Sequence, residues 1–198
     1  PELRKTVSEK FSKENGLEYE SAQVLVSIGG KHSCYLAVAA LIDEGDEVII
    51  PAPYWVSYPD MVILAGGTPV FLETTNDTGL KITPEQLKAA ITPKTRMLIL
   101  NSPSNPSGAV YSRGELEGLA DVLVDTDIII VSDDIYEHLI YEGEHVNILN
   151  VRPALSDQTV IVNGVAKAYA MTGWRIGYAV GPLEIIKQMS KIQSQQTS

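Results

Sequence analysis

The sequence predicts an α/β fold: a three-layer α/β/α arrangement around a mostly parallel, seven-stranded sheet. Three observations carry this. Short apolar, β-branched runs alternate with helical stretches along the chain, the pattern of strands joined by crossover helices. One run, Ile128-Ile129-Ile130-Val131, is continuously apolar rather than alternating, as a strand covered on both faces must be. No linker or low-complexity segment divides the 198 residues, so the pattern reads as one domain.

The first strand is Gln23–Ser27. Gly29-Gly30 then opens an Ala/Leu-rich helix over 31–42, which ends before Asp43-Glu44-Gly45-Asp46, a turn with glycine near the helix C-terminus. Glu47–Ile50 is the second strand. The helix that begins near Tyr58-Pro59 is stopped by Gly66-Gly67, and Thr68–Leu72 is the third strand. Thr83-Pro84-Glu85-Gln86 supplies an N-cap, a proline at the first helical position and a capping-box glutamine. Arg96–Asn101 is the fourth strand. Ser112-Arg113-Gly114-Glu115 repeats the capping logic before a helix over 113–124. Ile128–Ser132, Thr159–Val162 and Arg175–Val180 complete the strands. A helix over 183–193 places Ile185, Ile186, Met189 and Ile192 on roughly one face. Residues 1–22 carry no element in this reading. Right-handed crossovers then put the strand C-termini along one edge, where ligands bind in such sheets.

Bulk properties narrow the function. The chain is 44% apolar and 20% charged, a globular composition. Its net charge of −10, with no Lys/Arg run, argues against a nucleic-acid surface. No window of eighteen uncharged apolar residues exists to span a membrane. The single cysteine, Cys34, forbids an internal disulfide, fits a reducing compartment such as the cytoplasm, and reads as a small core residue. His32, His138 and His145 lack metal-ligand spacing, so no metal is expected, and His138 and His145 are placed on a loop surface. The chain starts at Pro1-Glu2-Leu3-Arg4 and stops at Gln195-Gln196-Thr197-Ser198 in what reads as a continuing helix or linker. The expectation is a piece of a longer chain.

Five features fall where strands should end. Lys167 sits among small residues just past an apolar strand, where poor solvation would lower its pKa and leave a nucleophilic amine; Arg175 follows eight residues on. Ser27-Ile28-Gly29-Gly30-Lys31 opens a helix, so the backbone N–H groups of Gly30 and Lys31 can approach an anion. Pro51-Ala52-Pro53-Tyr54-Trp55 is a stiff loop that aims Trp55, an indole able to stack on a planar ring. Asn101-Ser102-Pro103-Ser104-Asn105-Pro106-Ser107-Gly108 fixes Asn105 as a donor. Ser132-Asp133-Asp134-Ile135-Tyr136 puts Asp133 at the end of a buried strand, where a carboxylate needs a partner. Each has a plainer reading: a surface lysine, a tight turn, a core-capping indole, a connecting turn and a helix N-cap. Together they offer an amine, a ring stacker, an acid for a ring nitrogen, donors for a ring oxygen and a cationic pocket for phosphate. Those are the groups that pyridoxal 5'-phosphate requires.

The chain resembles the class I aminotransferase family of fold type I pyridoxal phosphate enzymes, and is similar to its bacterial aspartate aminotransferase branch. The motifs are Gly29-Gly30-Lys31, Pro53-Tyr54-Trp55-Val56-Ser57-Tyr58-Pro59, Asn101 to Gly108, Ser132-Asp133-Asp134-Ile135-Tyr136-Glu137-His138 and Ala166-Lys167 to Tyr178, in family order and across nearly the whole chain. The resemblance implies that Lys167 bonds the cofactor aldehyde, that Asp133 pairs with the pyridine nitrogen, and that Tyr136 and Asn105 bond the phenolic oxygen. It implies that Trp55 stacks on the ring, that Trp55 and Asn105 border the substrate, and that Arg175, Gly30 and Lys31 hold the phosphate. It also implies a homodimer, amino acid and 2-oxo acid substrates with aspartate first, and a cofactor-binding large domain over 1–198. The N-terminal segment and the C-terminal small domain, with its carboxylate-gripping arginine, would lie outside, leaving this piece a poor transaminase alone. Three departures stand out: Ser107 in place of the usual threonine, Asp134 in place of the frequent glutamate, and no hydroxyl residue just before Lys167. A β-lyase, a decarboxylase or the cofactor-sensing domain of a transcription regulator are the alternatives.

Overall fold

A computed structural model describes residues 1–197, and Ser198 lies outside the described residues. In chain order the strands are β1 (Val24–Ser27), β2 (Glu47–Pro51), β3 (Thr68–Leu72), β4 (Thr95–Asn101), β5 (Ile129–Asp133), β6 (Thr159–Gly164) and β7 (Gly177–Val180). The helices are α1 (Glu2–Lys10), α2 (Gly30–Leu41), α3 (Ser57–Leu64), α4 (Pro84–Ala90), α5 (Arg113–Leu123), α6 (Ile148–Val151) and α7 (Leu183–Gln196). The strands form one sheet in the order β1-β7-β6-β5-β4-β2-β3. Neighbours are parallel except that β7 runs against both β1 and β6. The expected α/β architecture is therefore the observed one.

The sheet separates two apolar layers because successive side chains of a strand point to opposite faces. On β4, Leu98 and Leu100 join α5 residues Leu116, Leu119, Ala120 and Leu123 on one face. Met97 and Ile99 join Leu36, Ala37 and Val38 of α2, Met61 and Val62 of α3, and Ile186 and Met189 of α7 on the other. Each fully buried leucine is worth about 1.5–3 kcal/mol relative to exposure. The two capping boxes form as the sequence predicts: Thr83 Oγ1 accepts from Gln86 N at 3.3 Å, and Ser112 Oγ from Glu115 N at 3.4 Å.

Three expectations need adjustment. Residues 1–22 are not featureless: α1 runs into a π-helical turn, Phe11–Asn15, closed by Gly16 at φ 65°. Only Val7 and Phe11 of this segment are buried, so its apolar signal is too sparse to read as a helix. The last strand begins at Gly177, not Arg175, because Arg175 takes a left-handed conformation (φ 52°) that breaks the extended chain. The third strand, Thr68–Leu72, is found as expected, the other strands differ from expectation by no more than two residues at either end, and the last helix runs on to Gln196.

Candidate active site

The topology brings five chain segments to one edge. β1, β2, β4, β5 and β6 run in the same direction and deliver their C-terminal ends there; β7, running the other way, contributes its N-terminal end. The segments just beyond those ends line a cleft of about 210 Å³. Gly30, Lys31, Trp55, Asn105, Asp133, Tyr136, Lys167 and Arg175 all line it, so every site residue expected from the sequence converges on one place.

The anion end is built from α2 and the turn before β7. Gly29, at φ 102°, precedes the helix, and the first-turn N–H groups of Gly30 and Lys31 have no preceding turn to satisfy them. Arg175 is exposed and lies across this turn: its Nη1 donates to Thr172 O at 2.9 Å and its Nη2 to Ile28 O at 3.3 Å. The φ of 102° favours glycine at position 29, and a β-carbon there would come within 2.6 Å of Arg175 Nη2 and push the guanidinium aside. A helix N-terminus beside a guanidinium suits a phosphate or another compact anion.

The opposite end is acidic and buried. Asp133 is 5% exposed. Its Oδ2 accepts from Tyr58 Oη at 2.6 Å and from Cys34 Sγ at 3.6 Å, and its Oδ1 accepts from Ile135 N at 3.2 Å. Burial pushes its pKa above the usual carboxylate value, and these hydrogen bonds only partly oppose it. Among the described residues no cation bridges Asp133. Asn101 ties the neighbouring loop in place: its Nδ2 donates to Asp133 O and its Oδ1 accepts from Asn105 N, both at 2.7 Å. Asn105 Nδ2 in turn donates to Tyr136 Oη at 3.5 Å, which holds the two polar groups side by side in the cleft. Trp55 stands edge-on to Tyr58, with ring centroids 5.3 Å apart, and Lys31 Nζ lies 5.0 Å from the indole centroid.

Two expectations fail here. Lys167 is exposed, with Nζ 5.7 Å from the Tyr136 ring centroid. Small neighbours were expected to leave it poorly solvated; instead they leave its side chain uncovered. His145 is not a loop-surface residue. Its side chain is 10% exposed, and Nε2 meets Asp134 Oδ2 at 3.1 Å. Burial lowers the pKa of His145, but Asp134 and Glu137 outweigh it and the net shift is upward.

The sequence reading also missed the residues that support the site. Tyr58 lies three positions beyond Trp55, a spacing that brings two side chains to one side of a helical turn, and this was the signal available. Asp134 is held by Ser132 Oγ at 2.7 Å and Asn147 Nδ2 at 2.7 Å. Glu137 accepts from Lys10 Nζ, from Asn163 Nδ2 at 2.7 Å and from Asn15 Nδ2 at 2.8 Å. The π-helical turn thereby docks onto the segment that carries Asp133 and Tyr136.

Comparison with known proteins agrees with this geometry. An aspartate/prephenate aminotransferase of Cereibacter sphaeroides is 57% identical over 200 residues, covering 100% of this chain and 50% of that protein. An aspartate aminotransferase of Geobacillus stearothermophilus is 54% identical, covering 100% of this chain and 51% of the relative. The crystal structure of the aspartate aminotransferase from Rhizobium meliloti superposes with a TM-score of 0.98 at 50% identity, covering 100% of this chain and 50% of that one. The chain thus spans about half the length of the relatives it matches. The family model described as "Aminotransferase class I and II" matches residues 1–198 throughout, and the chain belongs to that family.

Proposed function

We propose that this chain is the cofactor-binding part of a pyridoxal phosphate-dependent aminotransferase that moves an amino group between an amino acid and a 2-oxo acid. Aspartate is the first candidate substrate, a choice supported by the names of the relatives. The observation that carries the reading is the convergence of an accessible lysine, a buried carboxylate without a cation and a guanidinium-lined helix start on one cleft.

The residues fit the cofactor. The Gly29-Gly30 turn leaves backbone N–H groups and Arg175 for a phosphate. Among the described residues no cation answers the burial of Asp133. When bound, pyridoxal phosphate would supply an aldehyde and an electron-withdrawing ring.

The chain's own groups then divide the work. Lys167, exposed and lining the cleft, would be open to an incoming aldehyde and would serve as the base that takes a proton from a substrate Cα. Asp133 would hold a proton on a ring nitrogen by pairing with the resulting cation. Asn105 and Tyr136 would donate to a ring oxygen, and Trp55 would cover one ring face. Arg175, Gly30 and Lys31 would fix the phosphate. On this reading residues 1–198 form one cofactor-binding unit, the grip on the substrate carboxylate comes from outside it, and the working protein is a cytoplasmic homodimer.

The test is an absorbance spectrum after adding pyridoxal phosphate, followed by borohydride and mass spectrometry of the trapped adduct. The parent should retain one cofactor, mapped to Lys167, and Lys167→Ala should retain none. Trapping at another lysine with equal yield would overturn the proposal.

A further inference from the structure

Tyr58 takes no part in the division of labour above, yet it touches two of its members. It is 2% exposed, near the start of α3, and Met61 and Val62 of the same helix pack into the core. Its hydroxyl lies 2.6 Å from Asp133 Oδ2, within the short range of hydroxyl-to-carboxylate bonds. Its ring meets Trp55 edge-on at an interplanar angle of 89°. It thus joins the buried acid to the ring-stacking indole by direct contact.

We propose that Tyr58 is a positioning residue: its buried hydroxyl holds the Asp133 carboxylate charged and in one orientation, ready for a cationic ring nitrogen, while its ring sets the tilt of Trp55. This rests on the reading that Asp133 meets such a nitrogen. A carboxylate in an apolar interior tends to take up a proton, and a neutral acid cannot pair with a cation. A hydroxyl donor favours the charged form without introducing a competing positive charge, as a lysine or arginine at the same place would. The direction of the shifts agrees. Burial first, then the nearby Asp133 charge, push the Tyr58 phenol well above its ordinary value, so it stays protonated and remains a donor. The other titratable groups around Asp133 are Cys34 from α2 and, on its own segment, Asp134 and Tyr136; Lys31, Lys167 and Arg175 line the same cleft. Cys34 donates to the same oxygen at 3.6 Å, a weaker contact by length and by chemistry.

The experiment compares the full chain with Tyr58→Phe and Cys34→Ala. In the cofactor-free protein, the Asp133 carboxyl is titrated by carbon NMR, its signal assigned with Asp133→Asn. The pH dependence of pyridoxal phosphate binding is then measured by fluorescence. Tyr58→Phe should move the Asp133 titration to higher pH, move the acid limb of the binding profile the same way, and weaken binding about tenfold. Cys34→Ala should move both less. Should Tyr58→Phe fail to fold, a 3,5-difluorotyrosine at position 58, a stronger donor of nearly the same shape, should move the titration to lower pH. An unchanged Asp133 titration in the folded variant would overturn the proposal. So would a loss of affinity without any shift of the acid limb, which a purely structural role would give. If the parent binds no cofactor, the functional reading falls, while the NMR titration still decides whether Tyr58 holds the carboxylate.

Discussion

Gly177 at the start of β7 packs directly on Gly29: a β-carbon added to Gly177 would lie 2.2 Å from the Gly29 carbonyl carbon and 2.3 Å from Gly30 N. The obstacle is backbone on the very turn that opens α2, so no side chain can move aside. Gly177→Ala is expected to cost about 3 kcal/mol or more and to abolish anion binding at the cleft. Gly16→Ala is the control: a β-carbon there meets nothing within 4 Å, and the left-handed backbone alone should cost roughly 1–2 kcal/mol. Urea midpoints and phosphate binding of the two variants check the contrast.

Asp133 sets stability against function. Its pKa is raised in the fold, so the folded state binds a proton that the unfolded state has already released. Stability therefore falls as pH rises from the ordinary carboxylate range through the folded value, and above it the buried charge carries its full cost. Asp133→Asn should raise the urea midpoint of the cofactor-free chain near neutral pH, should show no such gain in strong acid, and should weaken cofactor binding. A lower midpoint at neutral pH would count against the assignment.

Lys10 and Glu137 behave in the opposite sense. Burial alone would raise the Glu137 pKa, but Lys10 and the hydrogen bonds around it bring the net shift down. Its contribution is present above the ordinary carboxylate range and is lost as pH falls through the folded value. Lys10→Ala leaves a carboxylate whose side chain is 4% exposed without its counterion, at an expected cost of about 3–5 kcal/mol. Adding Glu137→Gln should recover most of that loss, as a double-mutant cycle in urea would show.

His145 gives a third pH dependence. Its folded pKa is raised above 6.5, so its bond to Asp134 stabilises fully below that value and the contribution is lost as pH rises through the folded one. Proton NMR should find His145 titrating above 6.5, and Asp134→Asn should bring its midpoint down. An unmoved midpoint would show that Asp134 does not set it.

The sheet was legible because continuous apolar runs such as Ile128-Ile129-Ile130-Val131 can satisfy burial in few other ways. The cleft residues were legible because they follow strands in short polar loops. Less visible were features whose signal is spread over distance. α1 and the turn after it bury only Val7 and Phe11, and Glu137, the partner of Lys10, lies 127 residues away. His145 is held inward by a contact to Asp134, eleven residues away, that no local pattern reveals. Lys167 shows the limit of arguing solvation from neighbours: small residues cover little, so the side chain stays in water.

The reversal between β6 and β7 has a mechanical consequence. Because Gly164 pairs with Gly177, the twelve residues between them form a single loop clamped at its base, and that loop carries both Lys167 and Arg175. The reach from amine to guanidinium is thus bounded by loop length, like the jaws of a caliper, with one jaw also resting on Ile28 of the turn before α2. One inserted residue in that arc would leave the sheet registered while spreading the jaws.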